Sequence, residues 1–433
     1  MKVLVVSDFQ THGGAAMAAT RVCVALAERG HEVVRLVCRP DDGGEGGRVM
    51  TLHWRSQTGA LGRLRRRLTP RAARGEVDRR VVERAFASVA ASVRPDVVHF
   101  HNIHNAVSAG WSDQLLRLAR SAAPVVWTLH DMWSFTGRCA YAHGCDRFTR
   151  QCDAQCPTSD EYPALAPELI LPTFERRREV LAELADMVAV TPSQWLAGQA
   201  QRGLWAGHRV RVINYGLVLG GPRRPVDRAA IRREMGLPED GVLLLAAAAD
   251  WSSPHKGAAE LAEALRRLAS SGPRLLLLGR GGLPAGVPAE SVIALGFVPP
   301  GERQSLLRRA ADVLVHPARA ENFSNVLLEA AVDGLPVAAF AIGGNPEIVI
   351  DGRTGALAGE VSGAGLAGAV ERALAMRAAD AGLGDAIAAQ GRARFDVRRE
   401  AAEYEALYAE LTGGRGGGVR TVPMAFAAEP AHG

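Results

Sequence analysis

Lysine is almost missing from this chain. Of its 51 lysine and arginine residues only Lys2 and Lys256 are lysine, so the lysine kept inside the stretch SPHKG singles out Lys256 for attention. Long apolar runs are missing too, none reaching the roughly 18–20 residues a membrane-spanning helix needs. The opening MKVLVVSD is an apolar run of strand length, with no extended hydrophobic region or small-residue cleavage site, and reads as a strand, not a secretion signal. These absences lead to the expectation of a cytoplasmic protein whose six cysteines are reduced, or metal-bound where they cluster. The first loop lacks the G-x-G-x-x-G pattern, which counts against a dinucleotide-dependent dehydrogenase. Acid is not in surplus. The net charge of +5 suits an anionic small molecule, an acidic membrane surface or nucleic acid, and its size does not choose among them.

What is present is an alternation of strands and helices. At 433 residues the chain exceeds one ordinary core, which suggests two or three domains. KVLVVSD, the loop FQTHGGAA, the helix MAATRVCVALAERGH and the strand EVVRLVC form the opening of a parallel sheet. PDVVHFHN, APVVWTLHD and DMVAVTPSQW are further strands of the buried type, with polar residues at their ends. Near residue 205 the pattern restarts: RVRVINYG, GVLLLAAAAD, the loop WSSPHKG, the helix AAELAEALRRLAS, then RLLLLGRGG, SVIALGFV, ADVLVHPA and LPVAAFAIGG. The fold class is therefore α/β. The first domain spans residues 1–200 and a second of the same kind spans 205–395. A closing helix follows at 396–412, and Phe395, Tyr404 and Tyr408 give the segment GRARFDVRREAAEYEALYAELTGG, read as a closing helix pair, an apolar stripe. The Gly/Pro/Ala-rich tail 413–433 is expected to be disordered. The arginine-dense stretch Arg63–Arg74 reads either as a solvated helix face or as a surface for an anionic acceptor or lipid headgroup.

In open parallel sheets ligands sit beyond the carboxyl ends of the strands. Gly13 and Gly14 end the first such loop just before a helix, where bare backbone N–H groups can approach an anion. A tight turn that binds nothing has the same signature. Lys256 follows a strand and precedes a helix in the second domain, a place for a diphosphate clamp. Gly343 and Gly344, with Glu347, make a third loop of this kind. Three such loops on two domains point to a nucleotide diphosphate in the cleft between them. The stretch ARAENFSNVLLEA adds two carboxylates, Glu321 and Glu329, on either side of an expected helix start. Two acids can cleave a glycosidic bond or hold hydroxyl groups.

The order of these pieces resembles the retaining family-4 glycosyltransferases of the GT-B fold. The resemblance rests on PARAENFSNVLLEAAVDGLPVAAFAIGGNPEIVIDGRTG, an E-x7-E motif followed by a GG-x-x-E loop, with PHKG, INYGL and LGFV before it. SDFQTHGGAAMAA and WTLHDMWSFTGRC look like the subgroup that makes colanic-acid-type exopolysaccharides. It implies two Rossmann-like domains, an acceptor-side and a nucleotide-sugar-binding one, with the C-terminal helix returning to the first. It implies transfer of a hexose from a nucleotide-diphosphate sugar to a hydroxyl of a glycan, lipid-linked or small-molecule acceptor, with retention, no cofactor for catalysis and no nucleic-acid partner. Glu329 would accept from the two ribose hydroxyls, since one carboxylate offers two acceptor oxygens to a vicinal diol. Glu321 would face the donor sugar and Lys256 would neutralise the departing diphosphate. The backbone at Asn322, Phe323, Ser324 and Asn325 would meet phosphate and sugar, and that at Phe297 and Val298 the nucleobase. His130 would bind a sugar hydroxyl and support charge developing at the anomeric carbon.

One position departs from the family pattern. An arginine common six residues before the lysine is here Asp250, and Arg280 is the substitute the sequence offers. Cys139, Cys145, Cys152 and Cys156 put four thiols into an insert at residues 139–156, which suggests a structural zinc although the spacing is no CxxC pair; His143 is an alternative ligand, and free thiols are the bland reading. His99, His101 and His104 alternate on a strand, where core or acceptor-wall roles outweigh metal binding. The competing functions are a UDP-sugar 2-epimerase of the same fold and a non-catalytic nucleotide-sugar sensor. A glycosidase would leave the phosphate-type loops unexplained.

Overall fold

The structure, a computed structural model of the chain, describes residues 1–41, 47–59, 67–69, 74–159, 162–221, 227–283 and 287–413. Most of the Arg63–Arg74 stretch and the tail from residue 414 onward lie outside the described residues.

Two parallel sheets organise the molecule. The first runs β1 (Lys2–Phe9), β2 (Glu32–Arg39), β3 (Arg48–Thr51), β4 (Val97–Phe100), β5 (Val125–Thr128), β6 (Val188–Thr191) and β7 (Arg209–Val212), in the spatial order 3-2-1-4-5-6-7. The second runs β8 (Leu243–Asp250), β9 (Arg274–Arg280), β10 (Val292–Gly296), β11 (Val313–His316), β12 (Val337–Phe340) and β13 (Gly355–Ala358), in the order 10-9-8-11-12-13. Helices cover both faces of such a sheet, so central strands read as unbroken apolar runs. The middle six residues of β1 are all buried. Strand order reverses between β1 and β4 in one sheet and between β8 and β11 in the other. Crevices for ligands open at these switch points, beyond the carboxyl ends. The loops after β1, β8 and β11 carry Gly13–Gly14, Lys256 and Glu321.

The chain passes between the domains twice. It leaves β7 through residues 213–217 and comes back after the helix Leu383–Arg394, whose Gly391 packs so closely that an added Cβ would lie 2.5 Å from the Ala331 backbone. Phe395 stays in the second core, and the helix Val397–Leu411 then lays Val397, Ala401, Tyr404, Leu407 and Tyr408 against Val22, Cys23 and Leu26 of the first domain. The two crossings touch: the Leu217 amide donates to the Phe395 carbonyl at 2.8 Å and the Val397 amide to the Leu217 carbonyl at 3.0 Å. Gly216 makes this possible, because a Cβ there would come within 2.4 Å of the Val397 Cα. Among the described residues no helix is long and apolar enough to cross a membrane.

Glu400 lies at this junction, 2% exposed, accepting from the Gly216 amide at 2.7 Å. Burial pushes its carboxyl up to about 7, against the Gly216 hydrogen bond and the charges of Arg21 and Arg399, with Glu403 adding to the rise. A carboxyl whose folded value is raised favours the folded state below its unfolded value, and that contribution is lost as pH climbs through the folded value. Wild-type stability should therefore fall relative to Glu400→Gln as pH climbs from about 4.5 through 7, by about 3 kcal/mol at pH 8. Denaturation midpoints of the two proteins across pH 5–8 check this, and parallel curves would refute it.

Candidate active site

Two helix starts, one from each domain, meet at the centre of the cleft. Gly13, at φ 89°, leads into the helix Gly14–Glu28, which has no acid in its first turn. The helix Asn325–Asp333 begins after Ser324, whose side chain makes no capping bond, and again has no acid in its first turn. The Asn325 side-chain amide donates to the Gly14 carbonyl at 3.2 Å, and a Cβ on Gly14 would stand 3.2 Å from that nitrogen. Arg21 spans the same gap, giving one N–H to the Gly216 carbonyl at 2.8 Å and one to the Asn325 side-chain oxygen at 2.6 Å. Unsatisfied N–H groups and the positive ends of two helices thus face one region, which favours an anion.

Lys256 and Glu321 stand beside it. The Lys256 ammonium is 3.4 Å from the Glu321 carboxylate, with the two side chains 26% and 11% exposed. Burial raises the Glu321 carboxyl, but Lys256, His316 and the Asn322 amide outweigh it and hold the group below its ordinary value. Buried His316 is pushed down to about 4 and is neutral at pH 7. Gly257, at φ 73°, lets the lysine loop lie on the Pro317 carbonyl, which a Cβ would strike at 1.8 Å.

Glu329 projects from the helix one turn further on. Its Oε2 accepts from Arg308 at 2.9 Å, and its side chain remains 23% exposed. Burial raises its carboxyl against the pull of Arg308 and Arg21. Arg308 also reaches Asp333 at 2.6 Å and Gln304 at 3.1 Å, and Gln304 donates to the Val298 carbonyl at 2.6 Å. A polar chain therefore links Val298 to Glu329. Val298 itself is 4% exposed, whereas Phe297 is 57% exposed, with the Arg280 guanidinium 5.7 Å from its ring centre.

Several sequence expectations change in detail. His130 is buried with both ring nitrogens engaged, Nδ1 with the Tyr215 hydroxyl at 2.5 Å and Nε2 with His101 at 2.8 Å. Burial pushes it down to about 3, so it is neutral, and a sugar hydroxyl reaches its ring only by displacing one of those partners. Its carbonyl, not its ring, meets the other domain, accepting from Asn322 at 2.9 Å. Asn322 also accepts from Ser193 at 2.6 Å, so its side chain ties the domains together. Phe323 is core, edge-on to Tyr215 and Phe395, leaving only its backbone for a ligand. Gly343 and Gly344 have a packing role that the sequence did not show. A Cβ on either would lie 1.8 or 2.0 Å from the carbonyls of Glu321 or Asn322, so they serve close packing beneath the site. Glu347 accepts from the amides of Gln194 and Trp195, both at 2.8 Å, and caps a helix of the opposite domain. Asp250 accepts from the Ser252 amide at 2.8 Å and lies opposite Arg280 in the strand register, and the Ser252 bonds, together with the Arg280 charge, hold its carboxyl below the ordinary value.

Of the three histidines expected to alternate on one strand, only His99 lies on β4; His101 follows it and His104 begins a short 3-10 helix. His99 is hydrogen-bonded at 2.7 Å to both Tyr408 and Thr128. Cys139, Cys145, Cys152 and Cys156 line one cavity of about 10 Å³ with Gly137, Ile170 and Thr158. Among the described residues, however, no three His, Cys, Asp or Glu side chains are grouped as metal ligands, His143 included. Burial raises both Cys139 and Cys152, the latter to about 12. No step proposed below passes through a metal.

Sequence comparison adds an independent view. The profile described as Glycosyl transferases group 1 matches residues 241–376, and the one described as Glycosyltransferase Family 4 matches residues 12–220. A putative colanic acid biosynthesis glycosyl transferase of Escherichia coli (strain K12) is 29% identical over 262 residues, 59% of this chain and 62% of that one. A D-inositol 3-phosphate glycosyltransferase of Nocardioides sp. is 34% identical over 173 residues, 34% of this chain and 37% of that one. The chain thus spans about three fifths or less of these relatives' length. Among solved structures, sucrose-phosphate synthase from Thermosynechococcus elongatus superposes with a TM-score of 0.69 at 22% identity, covering 95% of this chain and 99% of that one. Anabaena HepE, solved with UDP and glucose, gives 0.64 at 20% identity, covering 95% and 100%. At these identities the likeness is one of fold, two parallel α/β domains in the GT-B arrangement.

Proposed function

Since this chain belongs to the family-4, group 1 glycosyltransferases, we propose that it moves a hexose from a nucleotide-diphosphate sugar to a hydroxyl acceptor with retention of configuration, in exopolysaccharide or related glycoconjugate synthesis. The observation that carries this reading is the meeting of two helix starts beside the Lys256–Glu321 pair. A leaving diphosphate gains negative charge as the glycosidic bond breaks. Fixed N–H dipoles and an ammonium in a water-poor site stabilise that charge without reorganising. Glu329 keeps acceptor capacity beyond its one bond from Arg308, enough for a ribose diol. Glu321, held below its ordinary value, stays ionised and faces the sugar as an acceptor and as a stabiliser of positive charge at the anomeric carbon. Neutral His130 contributes through placement: it fixes Tyr215 and, by its carbonyl, Asn322. The relative described as a putative colanic acid biosynthesis glycosyl transferase, and the fold neighbour solved with UDP and glucose, support the substrate class. The working place proposed is the cytoplasm, with contact to the inner membrane face through Arg63–Arg74.

A thermal-shift panel of UDP-, GDP-, ADP- and dTDP-sugars tests the donor, because a ligand bound only by the folded state stabilises it by RT ln(1 + [L]/Kd). One strong responder is expected, followed by release of free nucleotide when a glycan acceptor is added. No shift with any donor, or an epimerised donor without free nucleotide, would sink the proposal.

A further inference from the structure

One side chain of the cysteine-bearing insert leaves its own domain. Tyr141 follows Cys139 by two residues, and its ring stacks on His255 with centres 6.0 Å apart and planes at 29°. His255 belongs to the other domain and directly precedes Lys256. Burial first, and then the nearby Glu321 carboxylate, push the Tyr141 phenol up. The phenol therefore keeps its proton and can only donate to Glu321. Burial pushes His255 down to about 4, so the contact is between two neutral rings.

The loop that presents Tyr141 is braced immediately before it. The Met132 amide donates to the Ala140 carbonyl at 2.9 Å, and the Thr136 hydroxyl to the Cys139 carbonyl at 2.8 Å. Arg138, 2% exposed, spans to the Pro163 carbonyl at 3.0 Å and the Thr158 hydroxyl at 2.7 Å. Gly137 is pressed against Ile170 and Cys152, leaving no room for a Cβ. The four thiols pack around the cavity under this turn. Such bracing suits a loop whose work is to hold one side chain in place.

We propose that Tyr141 is a positioning residue of the donor-sugar end of the cleft: its ring closes the site against His255, and its hydroxyl orients the Glu321 carboxylate toward the sugar. This rests on the glycosyltransferase reading above. Lys256 supplies Glu321 with charge, but a flexible ammonium does not fix the plane of a carboxylate, whereas a phenol on a braced loop does. The insert is thereby a working part of the cleft and not a surface elaboration.

Two variants and two readouts decide it. In Tyr141→Phe the ring stays and the hydroxyl goes. Turnover is expected to fall about tenfold, the loss of one hydrogen bond to a charged group, while affinity for the nucleoside diphosphate alone stays within about twofold because the contacts of Lys256 and Glu329 are untouched. Tyr141→Ala should lower turnover further and raise the share of donor lost to water. Unchanged turnover and partition in both would overturn the proposal. Independently of any substrate, hydrogen exchange of residues 252–257 should quicken in Tyr141→Ala, and unchanged exchange would remove the cross-cleft contact. A wild-type chain that binds no nucleotide sugar would instead sink the functional reading, while the exchange result still decides whether Tyr141 spans the cleft.

Discussion

Lys256→Ala is expected to lower kcat/KM for transfer by about 100- to 1,000-fold, the usual loss when one preorganised group is removed from a developing negative charge. Two effects act together. The leaving diphosphate loses its ammonium. Glu321 also loses the strongest of the influences that hold its carboxyl down, so the opposing effect of burial takes over and the group moves up. The activity of the variant should therefore rise with pH over a range where the wild type is flat. Lys256→Arg keeps the charge but replaces a compact ammonium with a planar fork, and should recover only part of the rate. Initial-rate profiles from pH 5 to 8, with a melt to show that the variants fold, check the whole expectation. A Lys256→Ala enzyme within threefold of wild type at every pH would remove Lys256 from the reaction.

Glu329→Ala should act on binding and leave turnover nearly alone. Two hydrogen bonds from ribose hydroxyls to an ionised carboxylate are worth about 3 kcal/mol together, which corresponds to roughly 100-fold in Kd. The neighbourhood tolerates the change, because Arg308 keeps Asp333 at 2.6 Å and Gln304 at 3.1 Å and is not stranded. The same variant should bind a 2′,3′-dideoxy nucleotide as well as wild type does, since the lost partner has nothing to hold there. Titration calorimetry with both nucleotides reads this. Equal weakening for both would mean that Glu329 braces the helix and does not touch the ribose.

Much of the fold was legible because it is written locally. The apolar run at Lys2–Phe9, the restart after residue 205 and the polar residues at strand ends are short-range patterns, and the sheets follow them. Lys256, Glu321 and Glu329 could be placed at strand ends and a helix start by the same logic. What was not legible depends on partners far away in sequence. Glu347 caps Gln194 and Trp195, 153 and 152 residues earlier, so its loop looked like an anion site when seen alone. His130 looked free to meet a sugar because Tyr215, 85 residues later, could not be foreseen as its partner. The glycines at 343 and 344 were recognised as needed, but the neighbour they make room for, the backbone at Glu321 and Asn322, is visible only in three dimensions. Tyr141 gave no signal beyond its place in a cysteine-rich segment. Arg21 and Arg308 are two arginines among many, and composition hid them.

The two domains are joined by side-by-side crossings and, across the cleft, by the Tyr141–His255 ring stack and by single polar contacts: Asn322 to Ser193 and to the His130 carbonyl, Glu347 to two amides, Arg21 to Asn325, Asn325 to the Gly14 carbonyl. Each such bond, exchanged for one to water, is worth about 1 kcal/mol net. Together these bonds oppose separation of the domains by about 5–6 kcal/mol, which puts an open form at about 0.01% of the population. Because the crossings lie against each other, the motion asks for a few backbone torsions and stretches no loop. A donor that touches both halves draws on this balance: part of its binding energy goes into holding the lobes shut, and the departure of the nucleotide returns the enzyme to the exchange between open and shut. Asn322, Glu347 and Arg21 are therefore the side chains at which substitution should change the rate of nucleotide release without touching the bond that breaks.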